Sequence, residues 1–143
     1  METAGTPTRI EHIGIAVKDL DAAIVTYEKL LGVRCYALEE VADQGVRTAF
    51  FRLGESKIEL LESTSPDGPI AKFIARRGEG IHHIAYAVGN VQTSLRDLAS
   101  SGVRLIDSES RIGAEGLSIA FIHPASACGV LTEISAPSQG PHD

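Results

Sequence analysis

Ile10-Glu11-His12-Ile13-Gly14-Ile15-Ala16-Val17 and, 71 residues on, Ile81-His82-His83-Ile84-Ala85-Tyr86-Ala87-Val88 decide the reading of this chain. Both octets alternate as strands do, and both carry a histidine at the third position. Strand parity puts Ile10, His12, Gly14 and Ala16 on one face and Ile13, Ile15 and Val17 on the other. In the second octet Ile81, His83, Ala85 and Ala87 oppose Ile84, Tyr86 and Val88. The bulky set is expected to pack on helices. The histidine set continues into glycine and alanine, which leave room above the strand where a core layer would place Leu or Val.

The repetition continues outward. Leu20, Ile24, Tyr27 and Leu31 fall at helical spacing after Asp19, and Val91, Leu95 and Leu98 do so after Asn90. Asp and Asn at those places are N-caps, and Gly32 and Gly102 are expected to end the helices. Strand starts at Val33-Arg34 and Val103-Arg104 follow. Then come Val46 to Arg52, a Gly54-Glu55-Ser56 turn and Lys57 to Glu62; in the second copy, Leu117 to Ile122, a loop and Val130 to Ser135. The first βαβββ module spans 9–62 and the second 81–136. The linker, 63–80, holds a turn at Ser65 to Pro69 and a short helix from Ile70 to Arg77. The predicted fold class is α+β, with tandem βαβββ modules pairing into an eight-stranded, cup-shaped sheet whose open side takes a ligand.

Each module ends on a strand with a carboxylate in apolar company, Ile58-Glu59-Leu60-Leu61 and Leu131-Thr132-Glu133-Ile134. A glutamate there is costly unless paired or bound to a metal. One strand histidine is usually structural, but recurrence of His and Glu at matched places makes His12, Glu59, His83 and Glu133 a donor set for one divalent cation. His82 has the wrong parity, and His123 and His142, in loop and tail, receive no metal role.

The 143 residues carry a net charge of −6, with 43% hydrophobic and 22% charged residues. An acidic chain of this kind suits neither nucleic acid nor an anionic membrane. Cys35 and Cys128 form no Cys-x-x-Cys pair and read as reduced thiols. No apolar run reaches the roughly 18 residues of a membrane span, and no signal or transit pattern opens the chain. The expected address is the cytoplasm. Residues 1–8 and the tail from Pro137 are expected to fray.

With these residues in place, the chain resembles the glyoxalase/vicinal-oxygen-chelate superfamily and, within it, the methylmalonyl-CoA epimerase family. The resemblance rests on His12 to Val17, Gln44-Gly45-Val46, Lys57 to Leu61, Pro69 to Phe73, Gly80 to Ala85, Ile112-Gly113-Ala114, Phe121 to Pro124 and Gly129 to Glu133. It implies metal ligation by His12, Glu59, His83 and Glu133, with cobalt the usual metal and zinc, nickel or manganese as substitutes. It implies interconversion of the 2R and 2S forms of methylmalonyl-CoA through a metal-stabilised enolate, and a homodimer. The CoA thioester is the implied partner; its phosphates need cations, for which Lys72, Arg76 and Arg77 on the linker helix are candidates, a solvated helix face being the alternative, with Arg47, Arg104 and Arg111 weaker choices. Similar chains often place a second basic carboxylate where this one has Thr48. Epimerisation needs an acid–base group on each face of the reacting carbon. Glu133 is the first candidate; for the second, Asp43, Glu40 or a water on Thr48 remain open. Two other readings fit the same scaffold: a glyoxalase I-like isomerase and a non-catalytic drug-binding resistance protein. The full set of four donors disfavours the second. It also argues against ring-cleaving dioxygenases, which use two histidines and one carboxylate.

Overall fold

Asp19 starts helix α1 (Leu20–Leu31) by accepting the Ala22 amide at 3.1 Å, and Gly32 ends it with a φ of 69°, a turn that glycine makes without a Cβ clash. These features belong to a computed structural model that describes residues 5–138. Helix α3 (Val91–Ser100) repeats the design: Asn90 accepts the Thr93 amide at 2.9 Å. Its cap falls on Ser101, one residue ahead of the expected Gly102, which itself carries a φ of 86°. Asp19→Ala is expected to lower stability by about 1 kcal/mol, read as a lower urea midpoint at unchanged slope.

The chain divides into two compact units, one running from His12 to His82, the other from His83 onward together with the segment ending at Glu11. The first holds β1 (Arg9–Ala16), which the division cuts after Glu11, then α1, β2 (Ala37–Val41), β3 (Val46–Leu53), β4 (Ser56–Ser63) and α2 (Pro69–Arg77). Its strands lie in the order β2-β3-β4-β1, with β1 parallel to β4 and the other pairs antiparallel. Ile15, Ile58, Leu60 and Phe51 meet Leu20, Ile24, Tyr27 and Leu31 of α1, as the parity of the octet demands. The second unit holds β5 (Gly80–Ala87), which the division cuts after His82, then α3, β6 (Arg111–Ile112), β7 (Ser118–Ile122) and β8 (Thr132–Ala136), in the order β5-β8-β7-β6. Its core is Val88, Val91, Leu95, Ala120, Ile122, Ile134 and Ala136. Tandem βαβββ modules are thus what the chain forms.

Two strands begin later than the sequence suggests. In the first unit the stretch before β2 is tied to α1 instead of β3, because the Glu28 carboxylate accepts the Cys35 amide at 3.1 Å. The ladder begins only where Tyr36 donates to the Phe50 carbonyl. In the second unit the strand expected at Val103 shrinks to an isolated bridge at Leu105. There the amides of Ile106 and Asp107 both donate to the Phe121 carbonyl, and the Asp107 carboxylate accepts the Phe121 amide at 2.8 Å. A side chain has replaced the next rung. Residues 5–8 are tied down rather than frayed. Thr8 donates to the Ala87 carbonyl at 2.9 Å, and Gly5 lies so close to α3 that a Cβ there would stand 3.0 Å from the Ser94 Cα. Of the rest of that expectation, Pro137 and Ser138 follow β8 without regular structure, and residues 1–4 and 139–143, His142 among them, lie outside the described residues.

Candidate metal centre

Each unit builds the same pair. In the first, His12 and Glu59 are both buried, and Nδ1 of the imidazole stands 3.1 Å from Oε2 of the carboxylate. In the second, Nε2 of His83 stands 3.2 Å from Oε1 of Glu133, both again buried. The register explains the match. Glu59 lies between Gly14 on β1 and Phe50 on β3; Glu133 lies between Ala85 on β5 and Phe121 on β7. The small residue lets the carboxylate lean towards the histidine two positions earlier on the same strand. The aromatic ring closes the other side, and His83 meets Phe121 edge to face at a centroid distance of 5.7 Å.

Burying a carboxylate costs several kcal/mol unless a charge or strong donors offset it. Both glutamates are over 95% buried, and each holds an imidazole nitrogen at hydrogen-bond range. Buried nitrogen and oxygen donors in close pairs are the donor chemistry of zinc, cobalt, nickel or manganese, and each pair offers such an ion one nitrogen and one oxygen. His82 is half-buried and stacks edge-on to Phe73 at 5.0 Å. His123 caps a loop, its Nδ1 accepting the Ala125 amide at 2.9 Å.

Thr48 lies on the Glu59 face of the first unit, directly across from Leu61 and two pairs along from Phe50 and Glu59. It is 1% exposed, and its Oγ1 has no hydrogen-bond partner. An orphan hydroxyl at this depth costs about 1–3 kcal/mol, so it calls for an explanation. Across from it stands Glu39, half-buried on β2 and on that same face. Glu40 pairs with Arg47 on the reverse side and is exposed, as is Asp43. Between two adjacent glutamates the sequence offers no choice; only the β2–β3 register makes it. Lys57 is the other residue the sequence does not single out. It is 3% exposed, with Nζ 3.6 Å from Glu59 Oε2.

Lys72, Arg76 and Arg77 are exposed on α2, the Arg77 guanidinium standing over Phe73. Arg47 is committed to Glu62 at 3.1 Å and Arg111 to Asp107 at 3.6 Å, which leaves both poorly placed to seek a phosphate.

The chain is similar to several known proteins. The profile of the Glyoxalase/Bleomycin resistance protein/Dioxygenase superfamily matches residues 11–121. The ethylmalonyl-CoA/methylmalonyl-CoA epimerase of Cereibacter sphaeroides is 38% identical over 128 residues, covering 88% of this chain and 96% of that one. The mitochondrial methylmalonyl-CoA epimerase of Homo sapiens is 36% identical over 127 residues, 88% of this chain and 72% of that one. Among solved structures, Streptomyces coelicolor methylmalonyl-CoA epimerase in complex with 2-nitronate-propionyl-CoA superposes with a TM-score of 0.89 at 38% identity, over 94% of this chain and 97% of that one.

Proposed function

Since the chain belongs to the Glyoxalase/Bleomycin resistance protein/Dioxygenase superfamily and, within it, to the methylmalonyl-CoA epimerases, we propose that it is an isomerase interconverting the 2R and 2S forms of methylmalonyl-CoA. The observation that carries the proposal is the duplicated buried pair, His12 with Glu59 and His83 with Glu133. These four side chains would hold one divalent cation, cobalt first and zinc, nickel or manganese as substitutes. Bound there, the cation supplies Lewis-acid stabilisation of the negative charge that develops on the thioester oxygen.

The residues of the chain do the proton work. Glu133 takes the hydrogen from the carbon between thioester and carboxylate. On the opposite face Glu39 delivers a proton through a water held by the Thr48 hydroxyl, which gives that buried oxygen its missing partner. The reverse reaction exchanges the two roles. Lys72, Arg76 and Arg77 on α2 bind the CoA phosphates. A homodimer and a cytoplasmic address complete the proposal. In support, β2 is the end strand of its set with Leu38 exposed, which invites pairing. Among the described residues no helix is long and apolar enough to cross a membrane.

Assay of the purified protein on methylmalonyl-CoA and on glutathione hemithioacetal tests the assignment. Epimerisation of the first alone is expected. Turnover of the hemithioacetal alone would make the protein a glyoxalase, and ligand binding without metal or turnover would make it a binding protein. Glu39→Gln should slow epimerisation by about a hundredfold while the α-hydrogen of one epimer still exchanges with heavy water at the Glu133 side. Deuterium incorporation and inversion followed together by NMR separate the two. Epimerisation at the parent rate would place the second acid–base group elsewhere.

A further inference from the structure

We infer that Lys57 is a positioning residue that restricts Glu59 to one oxygen as a metal ligand and so reserves coordination space for the substrate, an inference resting on the metal reading above. Lysine is almost never this deeply buried without a partner, and here it is 3% exposed. Its ammonium lies 3.6 Å from Glu59 Oε2, the same oxygen that His12 Nδ1 meets at 3.1 Å. It also stands 5.9 Å from the centroid of Phe50, the ring opposite Glu59. Lys57 precedes Glu59 by two residues, so both side chains share the face of β4 that turns to His12, and the Lys57 and His12 Cα atoms are partners in the ladder.

The duplication repeats every other part of this arrangement. Histidine, small residue, glutamate and phenylalanine recur at matched places, but two residues before Glu133 stands Leu131. The second unit does have a cation over its phenylalanine, Arg111 at 5.6 Å from the Phe121 centroid. That guanidinium is paired with Asp107 and not with the ligand carboxylate. A lysine two residues before the ligand glutamate therefore belongs to the first half of the sequence repeat.

A positive charge beside a ligand carboxylate opposes binding of a dication through Coulomb repulsion. A centre built only to hold metal would bind it more tightly with leucine at both places. What the ammonium provides is control of the carboxylate. Its charge, 3.6 Å from Oε2, draws that oxygen towards the ammonium and so opposes chelation through both. The two glutamates thereby become unequal, Glu59 fixed as a ligand and Glu133 assigned the proton.

The two possible roles of Lys57 predict opposite signs. Lys57→Met keeps length without charge, Lys57→Gln serves if the methionine variant does not fold, and Lys57→Arg keeps the charge. Cobalt(II) affinity by chelator competition, visible absorption of the cobalt-loaded protein, and kcat/KM would be measured for each. With Lys57→Met we expect cobalt held about tenfold more tightly and kcat/KM lowered by about tenfold or more, with a changed absorption intensity. Lys57→Arg should recover most of both effects. Weaker cobalt binding in Lys57→Met, or an unaltered spectrum, would show a structural lysine and overturn the inference while leaving the metal reading intact. Failure of the parent protein to take up cobalt, zinc, nickel or manganese would overturn both.

Discussion

Glu133→Gln should still fold and should exchange the substrate α-hydrogen with heavy water about 10²–10⁴-fold more slowly than the parent. The substitution preserves shape. An amide oxygen still accepts from His83, whose Nε2 lies 3.2 Å from Oε1 in the parent, and the side chain still fits between Ala85 and Phe121. What disappears is the capacity to take a proton. NMR of methylmalonyl-CoA in heavy water reads this directly, and metal content measured on the same sample separates loss of the base from loss of the ion. Exchange at the parent rate would remove Glu133 from the chemistry and leave it, at most, a ligand.

The second large effect concerns two adjacent histidines. His83→Ala is expected to remove most of the bound metal and, with it, most turnover. It deletes a nitrogen ligand and at the same time takes an imidazole partner from a carboxylate that is 4% exposed. Removing a hydrogen-bond partner from a buried carboxylate costs about 1–3 kcal/mol or more, so the melting temperature of the metal-free protein should fall as well. His82→Ala should leave metal content at the parent level. Its side chain is half-buried and meets the Phe73 ring edge-on, on the other face of β5. Metal analysis of the two variants settles the parity of the strand: loss in His82→Ala with retention in His83→Ala would mean that the reading of β5 is displaced by one residue.

Much of this was legible from the sequence, because the signals are periodic and occur twice. The octets around His12 and His83 announce strands; Ile15 and Val17 of the first pack with α1 and Val88 of the second with α3. Asp19 and Asn90 are local caps that depend on little beyond their own neighbours. Where long-range contacts decide, the sequence was silent or misleading. Nothing in Val103-Arg104 reveals that the Asp107 carboxylate will occupy the Phe121 amide and leave β6 only two residues. Glu39 and Glu40 are indistinguishable until the register with Thr48 and Arg47 is known. A lysine at the head of a strand reads as solvated, and Lys57 is buried only because Phe50 and Glu59 both lie against it. Thr48 looked like a lost carboxylate; the structure adds that its hydroxyl is sealed in and unpartnered.

The hydrogen bond from Thr8 to Ala87 has a consequence for biosynthesis. The unit from His12 to His82 is unbroken in sequence, so all its contacts are available once residue 82 has left the ribosome. The other unit is discontinuous in sequence, since the segment ending at Glu11 belongs with residues made after His82. The segment ending at Glu11 must therefore wait for β8 before its own unit can close. Nascent chains should acquire protease resistance in two stages, with the continuous unit protected first and the amino-terminal segment last.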